Sequence, residues 1–107
     1  MDYLGIYDLQ YRHSDLRTRT QIAISNAAYN VINEDAGTAN HANRIIWANY
    51  ALANPERMMS LEMSLLVQNP TIQAGGDNAT DNDIQFVVNG LIDPYANAIA
   101  SGAIKFD

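Results

Sequence analysis

No cysteine occurs anywhere in the 107-residue chain. Disulfides, thiolate nucleophiles and Cys-based zinc sites are therefore excluded, and a disulfide-free small chain fits a reducing compartment. Positive charge is also scarce: six Lys and Arg stand against twelve Asp and Glu, giving a formal net charge of −6. Nucleic-acid binders need clustered cations to displace counterions from phosphates. Here the arginines are scattered at Arg12, Arg17, Arg19, Arg44 and Arg57, and Asp8 and Asp15 dilute the one near-cluster. Long apolar runs are missing too. Stretches such as Leu65–Val67 fall far below the roughly 20 residues that cross a bilayer, so no membrane partner is expected. The opening residues, Met1-Asp2-Tyr3-Leu4-Gly5, carry acid where a secretory leader would carry base. Charged residues in total are only 17%, low against a typical ~25%. Uncharged groups must supply the polar surface, and 12 Asn and 15 Ala dominate what remains.

What is present reads as helix. A chain of this length forms one domain with one core. The spacing predicts an all-α fold, a small bundle of four main helices with short N- and C-terminal segments. Residues 1–13 read as an N-terminal arm or short helix, and 14–107 as a single helical domain. In the arm, Tyr3, Tyr7 and Tyr11 recur at i, i+4 and i+8, which aligns them on one side of a helix. Ser14-Asp15 then resembles an N-cap with acid in the first turn.

The first main helix is expected over roughly 15 to 35. Its Ala-rich stripe is Leu16, Ala23, Ile24, Ala27, Ala28, Val31 and Ile32, and Gly37 is expected as its left-handed terminator. Thr38 or Asn40 should cap the next, roughly 40 to 53, anchored by Trp47 and Tyr50. Asn54-Pro55 reads as N-cap plus N1 proline for a third, about 55 to 68. That helix is rich in Met and Leu on two sides, so it should be the most buried element. Asn69-Pro70 stops it. Residues 70–79 read as a loop. Thr80-Asp81-Asn82-Asp83 resembles a capping box for a last helix carrying Ile84, Val87, Val88, Leu91 and Ile92. Pro94 should break or kink that helix near Asp93. Tyr95, Ile99 and Ile104 could form a short second piece, with Gly102 leading into the tail.

Catalytic constellations are weak. His13-Ser14-Asp15 contains triad residue types, but consecutive residues diverge at a helix start and cannot form the relay. His41 could share a metal with Glu34, Asp35 or Glu62, yet no H-x-x-x-H or E-x-x-H spacing supports it. The acidic segment Asp77–Asp83 fails the EF-hand pattern: Ala79 falls at position 3, Asn82 at position 6 and Val88 at position 12. Gly75-Gly76 has no phosphate-loop Lys or Ser/Thr behind it. No cofactor, metal or catalytic residue is expected, and no enzyme activity. The Tyr stripe and the apolar tail carry more information. Tyr joins a large contact area to a polar tip, which suits interfaces. Tyr3, Tyr7, Tyr11, Ile104 and Phe106 are the candidate partner-contacting residues, the competing reading being that they cover the domain's own core.

A set of motifs spans most of residues 15–100: Asp15-Leu16-Arg17-Thr18-Arg19, Glu34, Asn40-His41-Ala42-Asn43-Arg44, Trp47-Ala48, Ala79-Thr80-Asp81 and Ile84-Gln85. In these the chain resembles small, non-catalytic virion proteins of tailed bacteriophages. The resemblance implies a capsid-associated, neck or tail component, assembled in the host cytoplasm and located in the virion. Its partners would be other virion proteins or copies of itself, with no nucleic acid and no membrane. It implies structural signatures at Asn40-His41 and at Arg44 and Trp47. The alternative is a small acidic regulatory or inhibitory protein that binds a host or phage protein. Against that, the acids are spread along the chain rather than gathered in blocks.

Overall fold

A computed structural model describes residues 3–75 and 79–106, with side chains over 15–73 and 79–106. The described residues are all-helical. Five helices follow one another: α1 (Tyr3–Asn33), α2 (His41–Ala53), α3 (Pro55–Gln68), α4 (Pro70–Gly75) and α5 (Asp81–Ser101).

Three of them build the frame. α1 packs most extensively on α2 and α5, which also pack on each other; α3 lies mainly against α1 and α2, and α4 bridges α3 and α5. Directions follow from the cross-links. Arg19 meets Asp81 and Gln85 reaches the Ala23 carbonyl, so α5 runs parallel to α1. Asn40 meets Asn97 and Arg44 meets Asp93, so α5 runs antiparallel to α2.

The expected stripe on α1 is largely the observed one. Ala23, Ile24, Ala27, Ala28 and Val31 are buried and Leu16 packs on the core from its edge, while Ile32 is exposed. Small Ala side chains let neighbouring helices approach closely, and Trp47 fills the centre from α2 with no exposed surface. Ile84, Val87, Val88 and Ile92 bring α5 into the same core. The Thr80–Asp83 capping box forms in full. Thr80 Oγ1 accepts the Asp83 N–H at 3.1 Å, and Asp83 Oδ2 accepts the Thr80 N–H at 2.9 Å.

Several expectations are corrected. Ser14 does not begin a helix, because α1 runs unbroken from Tyr3. Between Tyr11 and Asp15 there is no Pro or Gly to stop propagation. At the other end α1 stops at Asn33, and Gly37 is not left-handed. Its N–H instead donates to Asp35 Oδ1 at 2.9 Å, a side-chain turn that replaces the glycine terminator.

Asn40 does precede α2, but in a left-handed conformation (φ 62°), and its side chain caps no backbone N–H. Its carboxamide is engaged sideways, accepting from Asn43 at 2.7 Å and donating to Asn97 at 3.2 Å. Asn54 likewise leaves α3 uncapped and donates to the Tyr50 carbonyl, closing α2, while Pro55 does occupy the first turn of α3. Residues 70–75 are helical rather than loop. Asn69 Oδ1 accepts the Thr71 N–H at 2.9 Å, Pro70 suits the first turn, and Ile72 anchors the short helix in the core.

Pro94 does not break α5, which continues to Ser101. The ring meets the carbonyl four residues earlier, and that residue is Gly90. Both positions face solvent, and space for a Cβ is open at Gly90, so the freed carbonyl can be hydrated. α3 is also not the most buried element. It buries one stripe, Met58, Met59, Glu62 and Leu66, and leaves Leu61 and Leu65 nearly half exposed.

Candidate functional site

The described polar residues form two ion-pair clusters and one isolated acid. The larger cluster ties the end of α1 and the start of α2 to the middle of α5. Glu34, just past α1, receives the Arg44 guanidinium through both oxygens, Nε at 2.8 Å and Nη2 at 3.0 Å. Arg44 Nη1 reaches Asp93 on α5 at 2.6 Å, and His41 Nδ1 lies 3.1 Å from Glu34 Oε1. This two-point geometry is what a planar guanidinium offers a carboxylate. The hydrogen bonds from Arg44, and secondarily from His41, hold the Glu34 carboxyl below its ordinary range against a smaller opposing effect of burial. Arg44 is shifted upward by the same partner.

The sequence placed His41 beside Glu34, Asp35 or Glu62 as a possible metal set. The structure brings His41 to Glu34 and gives Glu34 to Arg44. Among the described residues no three acids or histidines gather in a metal-binding group. A guanidinium in two-point contact occupies the oxygens a cation would need.

The second cluster pins the start of α5. Arg19 meets Asp81 at 2.7 Å, Asp15 at 3.3 Å and the Ala79 carbonyl. Both arginines are thus paired with carboxylates.

Glu62 is the contrast. It sits in α3 with no exposed surface, and among the described residues neither carboxyl oxygen has a hydrogen-bond partner. Burial alone pushes its carboxyl up to about 8. Tyr95, raised to about 12 chiefly by its own burial, feels Glu62 as its second influence. Trp47 Nε1 and Thr20 Oγ1 are also buried without a partner. Sequence reading missed both Glu62 as a core acid and Thr20 as a core residue. The signal was positional: Thr20 falls in register with Leu16, Ala23 and Ile24, and Glu62 in register with Met58, Met59 and Leu66.

The candidate partner residues divide. Tyr3, Tyr7 and Tyr11 lie along the N-terminal turns of α1, and their side chains are outside the described part. Phe106 stacks on Tyr50, centroids 4.4 Å apart, and tilts against Tyr95 at 6.1 Å. The tail is turned back by left-handed Gly102 (φ 80°), after which the Ala103 and Ile104 N–H groups both donate to the Ala98 carbonyl. Ile104 ends half-buried.

Other apolar side chains face solvent. Phe86 is 78% exposed, and Ile22 and Tyr29 are each 58% exposed. Ile22, Asn26 and Tyr29 share one side of α1 (i, i+4, i+7). That side borders α5 where Asn26 donates to Gln85 at 3.4 Å, next to Phe86. The sequence reading did not single out these three. They sit one position off the core stripes (Ala23, Ala28, Val87), where helical periodicity favours polar residues. No described helix is long and apolar enough to cross a membrane. No family model, curated protein or solved structure matches the chain.

Proposed function

We propose that this chain is a non-enzymatic assembly protein, a multi-copy structural component of a tailed-phage virion that docks on neighbouring subunits through apolar and aromatic side chains. The observation that carries docking is the exposure of large apolar side chains among the described residues, Phe86 at 78% on α5 and Ile22 and Tyr29 at 58% each on one side of α1. Exposed apolar and aromatic side chains of this size are characteristic of contact surfaces. The Tyr3, Tyr7 and Tyr11 stripe and the Ile104–Phe106 tail are the further proposed contacts. Phe106 already spends one face on Tyr50, so its outward share is what a partner would cover. Modest contacts of this kind gain strength by repetition in a symmetric assembly. The virion setting rests on the motif resemblance. The net charge of −6 suits a position away from packaged DNA, where like charge repels.

Mass spectrometry of purified particles from the encoding phage tests the reading. Tens or more copies per particle support it. Absence from clean particles overturns it in favour of the acidic regulatory binder. Phe86→Ser sharpens the test: incorporation should fall at least tenfold. Stability in urea should stay within about 0.5 kcal/mol of wild type, because the ring is mostly in water. Undiminished incorporation would remove Phe86 from the contact.

A further inference from the structure

We propose that Glu62 is a proton-controlled latch: the bundle closes around its neutral carboxyl, and loss of that proton releases α3 from the helices it covers. This inference is independent of the docking surface. It starts from geometry. Glu62 lies in the buried stripe of α3 between Met59 and Leu66, with no exposed surface and no hydrogen-bond partner for either oxygen among the described residues. A neutral carboxylic acid tolerates such a site at moderate cost, whereas an unpaired carboxylate there is far less stable than in water.

Among the described residues no cation is positioned to compensate. α3 packs against α1, α2, α4 and α5. On α1, Arg19 is held by Asp15 and Asp81, and Arg17 is exposed. On α2, Arg44 and His41 are both turned to Glu34. α4, Pro70–Gly75, contains no titratable residue. α5 contributes Tyr95, which feels the charge of Glu62 and can only add negative charge; Asp81, Asp83 and Asp93 are engaged at the cap or with arginines. On α3 itself Glu56 and Arg57 are exposed.

The direction of the effect follows from linkage. The ordinary value for the side chain is 4.5 and burial raises the folded-state value to about 8. Between these values the folded protein holds a proton that the unfolded chain has given up. The contribution of Glu62 to stability is therefore greatest at or below the ordinary value and falls as pH rises, levelling off above the folded value. The unfolded-to-folded ratio should climb up to roughly tenfold per pH unit across that window. The pH range in which the latch loosens thus includes neutrality.

The test compares wild type with Glu62→Gln in urea unfolding from pH 5 to pH 9, read by the single tryptophan, Trp47. Every other titrating group is common to both proteins, so the difference isolates Glu62. The variant should lose the decline in stability between pH 5 and 8, and parallel profiles overturn the proposal. Carboxyl carbon NMR on the wild type gives a second readout that needs no variant, since only Glu34, Glu56 and Glu62 contribute glutamate signals. One of the three should titrate on the alkaline side of neutrality; if all three titrate below pH 6, the latch does not exist. Amide hydrogen exchange decides what moves. Protection in residues 58–66 should drop with rising pH before protection in 23–31 and 84–92, and simultaneous loss overturns the release of α3.

Discussion

Two glutamates in one small bundle are treated in opposite ways. Glu34 stands in a loop, partly solvated, with Arg44 on both oxygens and His41 beside one, and its carboxyl is shifted downward. Glu62 stands in a helix, fully buried, with no donor, and is shifted upward. The difference teaches that an acid's contribution to this fold is set by the donors its backbone position can recruit, not by its depth alone. A loop residue beside the start of α2 collects two donors from that helix. A position in the middle of a helix, flanked by Met and Leu, collects none.

The largest expected effect breaks the satisfied side of this contrast. Arg44→Ala removes both hydrogen bonds to Glu34 and the tie to Asp93, leaving a half-buried carboxylate with His41 alone. It should cost about 2–3 kcal/mol at neutral pH in urea unfolding. A loss under about 0.5 kcal/mol would mean that the network contributes no more than an exposed pair.

Next, Glu34→Gln should cost about 1–2 kcal/mol near pH 7 and little at pH 3. The sign is the reverse of Glu62. Because the folded value of Glu34 is lowered, its contribution is present above the ordinary value of 4.5 and is lost as pH falls below it. An acid limb identical in wild type and variant would show that other carboxylates drive acid unfolding. The smallest effect is expected at the second cluster. Arg19→Ala should cost about 0.5–1 kcal/mol, since its partner Asp81 is mostly in water and the pair is screened by salt. Its cost should shrink further in 1 M NaCl, and the Arg44→Ala cost should shrink less.

The parts of the fold legible in the sequence are those carried by periodicity and local chemistry. The Ala23, Ala27 and Val31 stripe, the Trp47 anchor and the Thr80–Asp83 box each depend on residues within about one or two turns of one another. The illegible parts depend on what lies across the bundle. Asn40 has the composition of an N-cap, yet Asn97 on another helix takes its carboxamide. Pro94 has the composition of a breaker, yet it stands on a side of α5 that faces solvent, and the helix continues past it to Ser101. Glu62 looks like a polar break in an apolar face until the packing of α1 and α2 encloses it. The same holds for the candidate contact surface. The aromatic stripe at Tyr3, Tyr7 and Tyr11 was visible as a repeat. Ile22, Tyr29 and Phe86 are recognisable only once the core stripes of α1 and α5 are fixed and these three are left outside them.

The placement of α5 between α1 and α2 also has a consequence for synthesis. Its cross-links join residues 49 to 62 positions apart, as in Arg44–Asp93 and Arg19–Asp81. A ribosome-bound nascent chain that has released α1 to α4 still presents the apolar sides of Ala23, Ala27 and Trp47 as an open trough. Only when residues 81–101 clear the exit tunnel can the last helix drop into place. Aggregation of the partly folded chain should therefore be governed by how long Trp47 and its neighbours wait for residues 81–101 to pack on them.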